Sequence, residues 1–225
     1  MPATVVDCGD TQLHVNLRPG GPTIVLLHGL AGTADEWHRT ADALPHHWGI
    51  IAPDLRAHGR SRRDHQPALE AERFTLDVIT VIETLASTPI MLAGQSMGGV
   101  IATRVAAARP DLIRHLVLID AGVAPAPNDS SDLERWLRTS DTGHDPDSML
   151  AVAHTVNRTS RATEWGAVTC PTTVILAERT FIADRDIATM ATAQPTTTWL
   201  SILRSGHDIH LDQPTALGRA LSGLR

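Results

Sequence analysis

The chain has 225 residues, a net charge of −6 without long runs of either sign, two cysteines, no tyrosine, two phenylalanines, five tryptophans and twelve histidines. That length fits one domain with a substantial core, and the charge pattern recommends neither nucleic acid nor an anionic membrane as a partner. Cys8 and Cys170 lie far apart and outside any metal-spaced cluster, no apolar run approaches a membrane span, and no basic-then-apolar leader opens the chain, so a soluble cytoplasmic protein is the expectation.

In chain order, residues 4–7 and 12–18 predict an opening hairpin turned at Gly9-Asp10. Residues 23–27 (Thr-Ile-Val-Leu-Leu) form a continuous apolar run, as a strand buried on both faces requires. A helix follows over 33–44, with Thr33 as its cap and Glu36 completing a capping box. Residues 49–52 make the next buried strand. The helix over 70–86 places Leu76, Ile79, Ile82 and Leu85 on one side. Residues 89–93 and 100–106 are a strand and a helix separated by Gly94-Gln95-Ser96-Met97-Gly98-Gly99, and 115–119 is a further strand. Residues 172–176 resume the sheet, and 186–193, 197–200 and 214–224 supply helix, strand and final helix. Alternating buried strands and helices imply an α/β fold: a mostly parallel central sheet flanked by helices. Residues 122–167 break that rhythm with a Pro- and Ser-containing loop (Pro125 to Ser131) and two short helices, near 132–138 and 147–156. The segment reads as a short lid inserted between core segments 1–121 and 168–225.

Gly-x-Ser-x-Gly between a strand and a helix is a nucleophile elbow. The glycines let the turn close tightly, Ser96 projects above the sheet, and the Met97 amide points at a developing oxyanion. His28-Gly29-Leu30-Ala31-Gly32 ends an earlier strand, so the Leu30 amide is the expected second oxyanion donor and His28 a brace for the turn. The charges of Asp54 to Ser61 read as hydrogen bonds that staple their loop. His207 follows the last strand and is the expected proton carrier, with His210 its competitor.

Together these motifs resemble the α/β-hydrolase superfamily over nearly the full length. The resemblance implies a serine nucleophile, Ser96, with His207 as its base; the sequence carries no metal or cofactor motif, so neither is expected. In most relatives the acid follows the strand at 174–177, where this chain has Ala177-Glu178-Arg179-Thr180-Phe181, with Thr180 at the usual aspartate. Asp120, at the end of the preceding strand, is the first choice of substitute, as in dehalogenase-like members; Glu178 and Asp184 are the others. The leading expectation is a serine hydrolase that cleaves a small ester, lactone or thioester through an acyl-enzyme. A carbon–carbon hydrolase, lyase or cyclase using the same oxyanion hole, and a non-catalytic ligand-binding homologue, are the alternatives. The partner is a small molecule, and the sequence discloses no oligomeric state. Leu30, Met97, Trp136, Met149, Trp165 and Ile209 are candidate apolar walls of its pocket.

Overall fold

The computed structural model describes residues 1–61, 69–123, 131–157 and 161–224. Its strands are β1 (Ala3–Asp7), β2 (Gln12–Arg18), β3 (Thr23–Leu27), β4 (Gly49–Pro53), β5 (Ile90–Gln95), β6 (Ile113–Ile119), β7 (Thr172–Ala177) and β8 (Thr198–Ile202). They form one sheet in the order β1-β2-β4-β3-β5-β6-β7-β8. β1 and β2 pair antiparallel, as does β2 with β4, and every other pairing is parallel. From β3 the chain builds outward on one side to β4, then returns to build β5 to β8 on the other. Such a reversal is the position at which open α/β sheets place their ligands, at the C-terminal ends of the strands, here β3 and β5.

The described helices are α1 (His38–Ala43), α2 (Ala71–Leu85), α3 (Met97–Ala108), α4 (Ser131–Thr139), α5 (Pro146–Asn157), α6 (Ala162–Ala167), α7 (Asp184–Ala193), α8 (Ile209–Asp212) and α9 (Pro214–Gly223). The period of two along β3 shows how the sheet divides the core. Ile24 and Leu26 join Trp37, Ile50, Leu217 and Leu221 on the face covered by α1, α8 and α9. Val25 and Leu27 join Val78, Ile101, Val152 and Trp165 on the face covered by α2, α3, α5 and α6. Both layers are apolar, which is why the strand sequences run without polar alternation.

Several local expectations need correction. The helix expected over 33–44 starts as a 3₁₀ turn at Ala34–Trp37 and becomes α-helical only over His38–Ala43; Thr33 is extended (φ −145°, ψ 165°) and makes no capping bond. The capping box fails because the Glu36 carboxylate is engaged by His210, 3.2 Å away. In α2, Leu76 is 54% exposed while Phe74, Val78, Val81 and Ile82 are buried. Residues spaced strictly by three precess around a helix of 3.6 residues per turn, so they do not share one face. Between β6 and β7 the described residues form three helices rather than two. α6 is short and carries Gly166, a weak helical signal, yet Trp165 fixes it by inserting into the core and donating from Nε1 to the Met190 carbonyl at 3.0 Å. The loop expected at 125–130 lies outside the described residues.

Arg56 ties the loop after β4 to two other elements. Its guanidinium, fully buried, meets Asp77 of α2 at 2.8 Å and Asp10 of the β1–β2 turn at 2.9 Å. Burial holds the Asp77 carboxyl above its ordinary range even though Arg56 pulls the other way. Arg56→Met should therefore cost about 3–5 kcal/mol in urea unfolding, because it strands a carboxylate among apolar side chains. A loss under about 1 kcal/mol would show that this group does not anchor the loop.

Candidate active site

The sheet register brings the site together. Leu27 pairs with Gly94, Gln95 with Ile119, Ile119 with Ile175, and Ala177 with Ile202. The residues that follow these strand ends, His28, Ser96, Asp120 and Glu178, therefore emerge along one edge of the sheet, and His207 comes from the loop after β8.

Ser96 has φ 49° and ψ −116°, a conformation in which a side chain is strained. The turn survives because its neighbours leave no alternative. A Cβ at Gly98 would lie 2.6 Å from the His28 carbonyl oxygen, and one at Gly94 would strike the Gly98 carbonyl. The Ser96 amide donates to the Ile119 carbonyl at 3.1 Å, which fastens the apex to β6. Among the described residues Ser96 Oγ makes no hydrogen bond, and the Leu30 and Met97 amides donate none. The Gly29–Gly32 turn lies directly against the apex, with a Cβ at Gly29 only 3.4 Å from the Ser96 Cβ.

Asp120 also has positive φ (45°), and its side chain is fully buried. One carboxylate oxygen accepts from the Ala177 amide at 3.0 Å; the other lies 2.9 Å from His207 Nδ1. That contact makes Nδ1 the protonated nitrogen and leaves Nε2 as a lone-pair acceptor. The other two carboxylates go elsewhere. Glu178 accepts from the Arg204 amide at 2.6 Å, and Asp184 opens α7. Thr180 does not face His207 through its hydroxyl, which accepts from the Ile182 amide at 3.1 Å within its own turn.

Two neighbours of His207 carry no sequence motif. The buried Gln95 amide nitrogen donates to the His207 carbonyl at 3.1 Å and sits 3.2 Å from His207 Nε2 and 3.4 Å from Asp208 Oδ1. Three acceptors around one –NH₂ fix which way the amide points. Phe181 meets the His207 ring edge-to-face, with centroids 4.6 Å apart. A Gln inside Gly-x-Ser-x-Gly and an aromatic beside the displaced acid position are the only sequence hints of either.

The surrounding polar residues hold the loops. His28 is fully buried, with Nδ1 on the Gly29 carbonyl at 2.7 Å and Nε2 accepting from the Leu55 amide at 2.9 Å. Burial lowers its pKa, so it is a neutral brace. Asp54 accepts from the amides of Ala34 (2.7 Å) and Arg60 (2.8 Å), so the post-β4 loop is stapled by hydrogen bonds. The cysteines are poor nucleophiles: burial pushes the Cys8 thiol up to about 12 and also raises Cys170. Of the candidate walls, the side chains of Met97, Met149, Trp165 and Ile209 are buried in the core and present no surface to a ligand. Leu30 is partly buried, and Trp136 is 44% exposed on α4. No His, Cys, Asp and Glu cluster suited to a metal ion occurs among the described residues.

Comparison with known proteins adds the family. A model described as alpha/beta hydrolase fold matches residues 22–145. A stretch of 115 residues is 40% identical to the lipase LipV of Mycobacterium tuberculosis, covering 50% of this chain and 43% of that protein. A stretch of 119 residues is 36% identical to the sn-1-specific diacylglycerol lipase ABHD11 of Mus musculus, covering 51% and 38% respectively. The matched stretch thus spans less than half the length of either relative. Among solved structures, an esterase from Exiguobacterium antarcticum superposes with a TM-score of 0.87 over 99% of this chain and 98% of that one, at 16% identity. At that identity the likeness concerns the fold.

His210, the competitor to His207, is buried on the far side of the same loop. Its ring stacks on Trp37 at 4.7 Å between centroids, and Nε2 lies 3.2 Å from the Glu36 carboxylate. It locks α8 to the turn after β3. His210→Ala should therefore lower folding stability by about 2–4 kcal/mol, as removal of a packed ring does. Urea unfolding of the variant measures this, and an unchanged midpoint would remove the locking role.

Proposed function

This chain belongs to the α/β-hydrolase fold family, and from that premise we propose that it is a serine hydrolase of small esters, lactones or thioesters. The observation that carries the reading is the 2.9 Å contact between His207 Nδ1 and the buried Asp120 carboxylate, beside a serine on a strained strand-to-helix turn. Asp120 holds the imidazole in the tautomer whose Nε2 accepts a proton and stabilises the imidazolium that results. Ser96 Oγ attacks the carbonyl carbon while Nε2 takes its proton. The oxyanion forms beside the amides of Leu30 and Met97, which have no competing acceptor among the described residues. His207 then gives the proton to the leaving group, and water releases the acyl group by the same steps in reverse order. Before attack, Ser96 has to take the Nε2 lone pair that the Gln95 amide faces at rest. Hydrogen bonds at catalytic centres commonly tighten only when substrate is bound.

The lipase names of the two relatives support ester chemistry. The lyase and ligand-binding alternatives drew their appeal from a missing acid, and a carboxylate on His207 removes that motive.

Three substitutions test the proposal. Ser96→Ala should leave the fold intact and lower ester turnover by about 10⁶, and near-wild-type activity in a clean preparation would overturn the nucleophile assignment. His207→Ala should be comparably damaging. Asp120→Asn should lower turnover by roughly 10⁴, since asparagine tolerates the positive φ and keeps an oxygen for the Ala177 amide, but then turns an –NH₂ toward Nδ1. Unchanged turnover in Asp120→Asn would remove Asp120 from the mechanism.

A further inference from the structure

In the proposed serine-hydrolase cycle, on which this inference rests, His207 Nε2 hands a proton to the departing atom of the substrate. Whatever flanks the accessible side of the imidazole must therefore flank the leaving group. Asp120 takes Nδ1 and the buried Gln95 amide faces Nε2 from within the protein. An aromatic neighbour of the ring is Phe181, whose plane stands at 86° to the imidazole at 4.6 Å between centroids.

Phe181 is 65% exposed, although it is one of only two phenylalanines in the chain. Its backbone is held firmly. On one side the Glu178 amide donates to the Ile202 carbonyl and the Arg179 amide to the Ser205 carbonyl, both at 3.2 Å, which ties this loop to the one that carries His207. On the other side Ile182 is buried, its side chain 3.5 Å from where a Cβ on Gly122 would stand. An aromatic ring anchored at both flanks, resting on the base and still open to water, gains from being covered by an apolar ligand.

We propose that Phe181 is a specificity-determining residue that forms the apolar wall of the leaving-group side, and that the substrates are esters of apolar alcohols or phenols. The acyl side has no part in this selection. Because the leaving group departs before deacylation, Phe181 acts on acyl-enzyme formation and not on its hydrolysis.

The test uses acetate esters of phenols carrying either a methyl or a carboxylate substituent, with rates corrected for phenol acidity, on wild type, Phe181→Ala and Phe181→Leu. Phe181→Ala should lose about tenfold in kcat/KM on the methyl-substituted ester relative to the carboxylate-bearing one, and Phe181→Leu should recover most of it. Labelling of Ser96 by a fluorophosphonate, whose leaving group is only fluoride, reports the reactivity of the serine itself. Equal losses on both esters, or a matching loss in fluorophosphonate labelling, would show that Phe181 merely steadies His207 and would overturn the proposal while leaving the hydrolase reading in place. A loss that follows the acyl group instead, in a series with one fixed phenol, would overturn it too. If wild type neither labels at Ser96 nor turns over any ester, the hydrolase reading falls and the proposal with it.

Discussion

A serine held at φ 49° and ψ −116° costs on the order of 1–3 kcal/mol, and the molecule around it is arranged so that no relaxed conformation is available. Strand β5 must end and α3 must begin within one residue, which brings backbone against backbone. Gly94 meets the Gly98 carbonyl, and Gly98 in turn lies against the carbonyls of Leu27 and His28. The same crowding that strains Ser96 presses the turn after β3 against it. Position and strain therefore have one origin, the close parallel packing of β3, β5 and α3.

The loops above that packing have little apolar material of their own, and buried polar ties set their shape instead. His28 spans from Gly29 to Leu55, Asp54 from Ala34 to Arg60, and Arg56 from Asp77 to Asp10. Each link joins a segment after one strand to a segment after another. Such ties cost desolvation and give little net stability, but a half-made one is penalised heavily, so the loops adopt one arrangement.

Strand positions were legible because a strand buried on both faces has to be continuously apolar, and the elbow was legible because its glycines answer a steric demand. Asp120 was readable only as the first choice among three carboxylates. Which of them reaches His207 depends on backbone direction at two strand ends, and the positive φ of Asp120 has no signature in an aspartate. Other features depended on partners remote in sequence. Glu36 looks like a helix cap until His210 arrives from 174 residues away to take its carboxylate. Leu76 looks like core until the packing of α2 selects the stripe through Phe74, Val78 and Ile82. Gln95 gains meaning only when the β8 loop comes to lie over it. Local pattern specifies the elements; contacts between distant segments specify which side chains meet.

The place of Asp120, directly after β6, has an effect on how this scaffold can change. Where the acid follows β7, the 178–183 loop has to keep a carboxylate in register with the histidine, and its sequence is constrained accordingly. Here the carboxylate is rooted in the sheet, with one oxygen on the Ala177 amide and the other on His207. The loop after β7 gives the His207 ring no carboxylate, only an aromatic contact, and ties the neighbouring loop through its backbone. Its side chains beyond Arg179 can be rewritten, in nature or by design, with the Asp120–His207 contact left standing, as long as the Glu178 and Arg179 amides keep their bonds to Ile202 and Ser205. Change in those side chains is uncoupled from the carboxylate that holds His207.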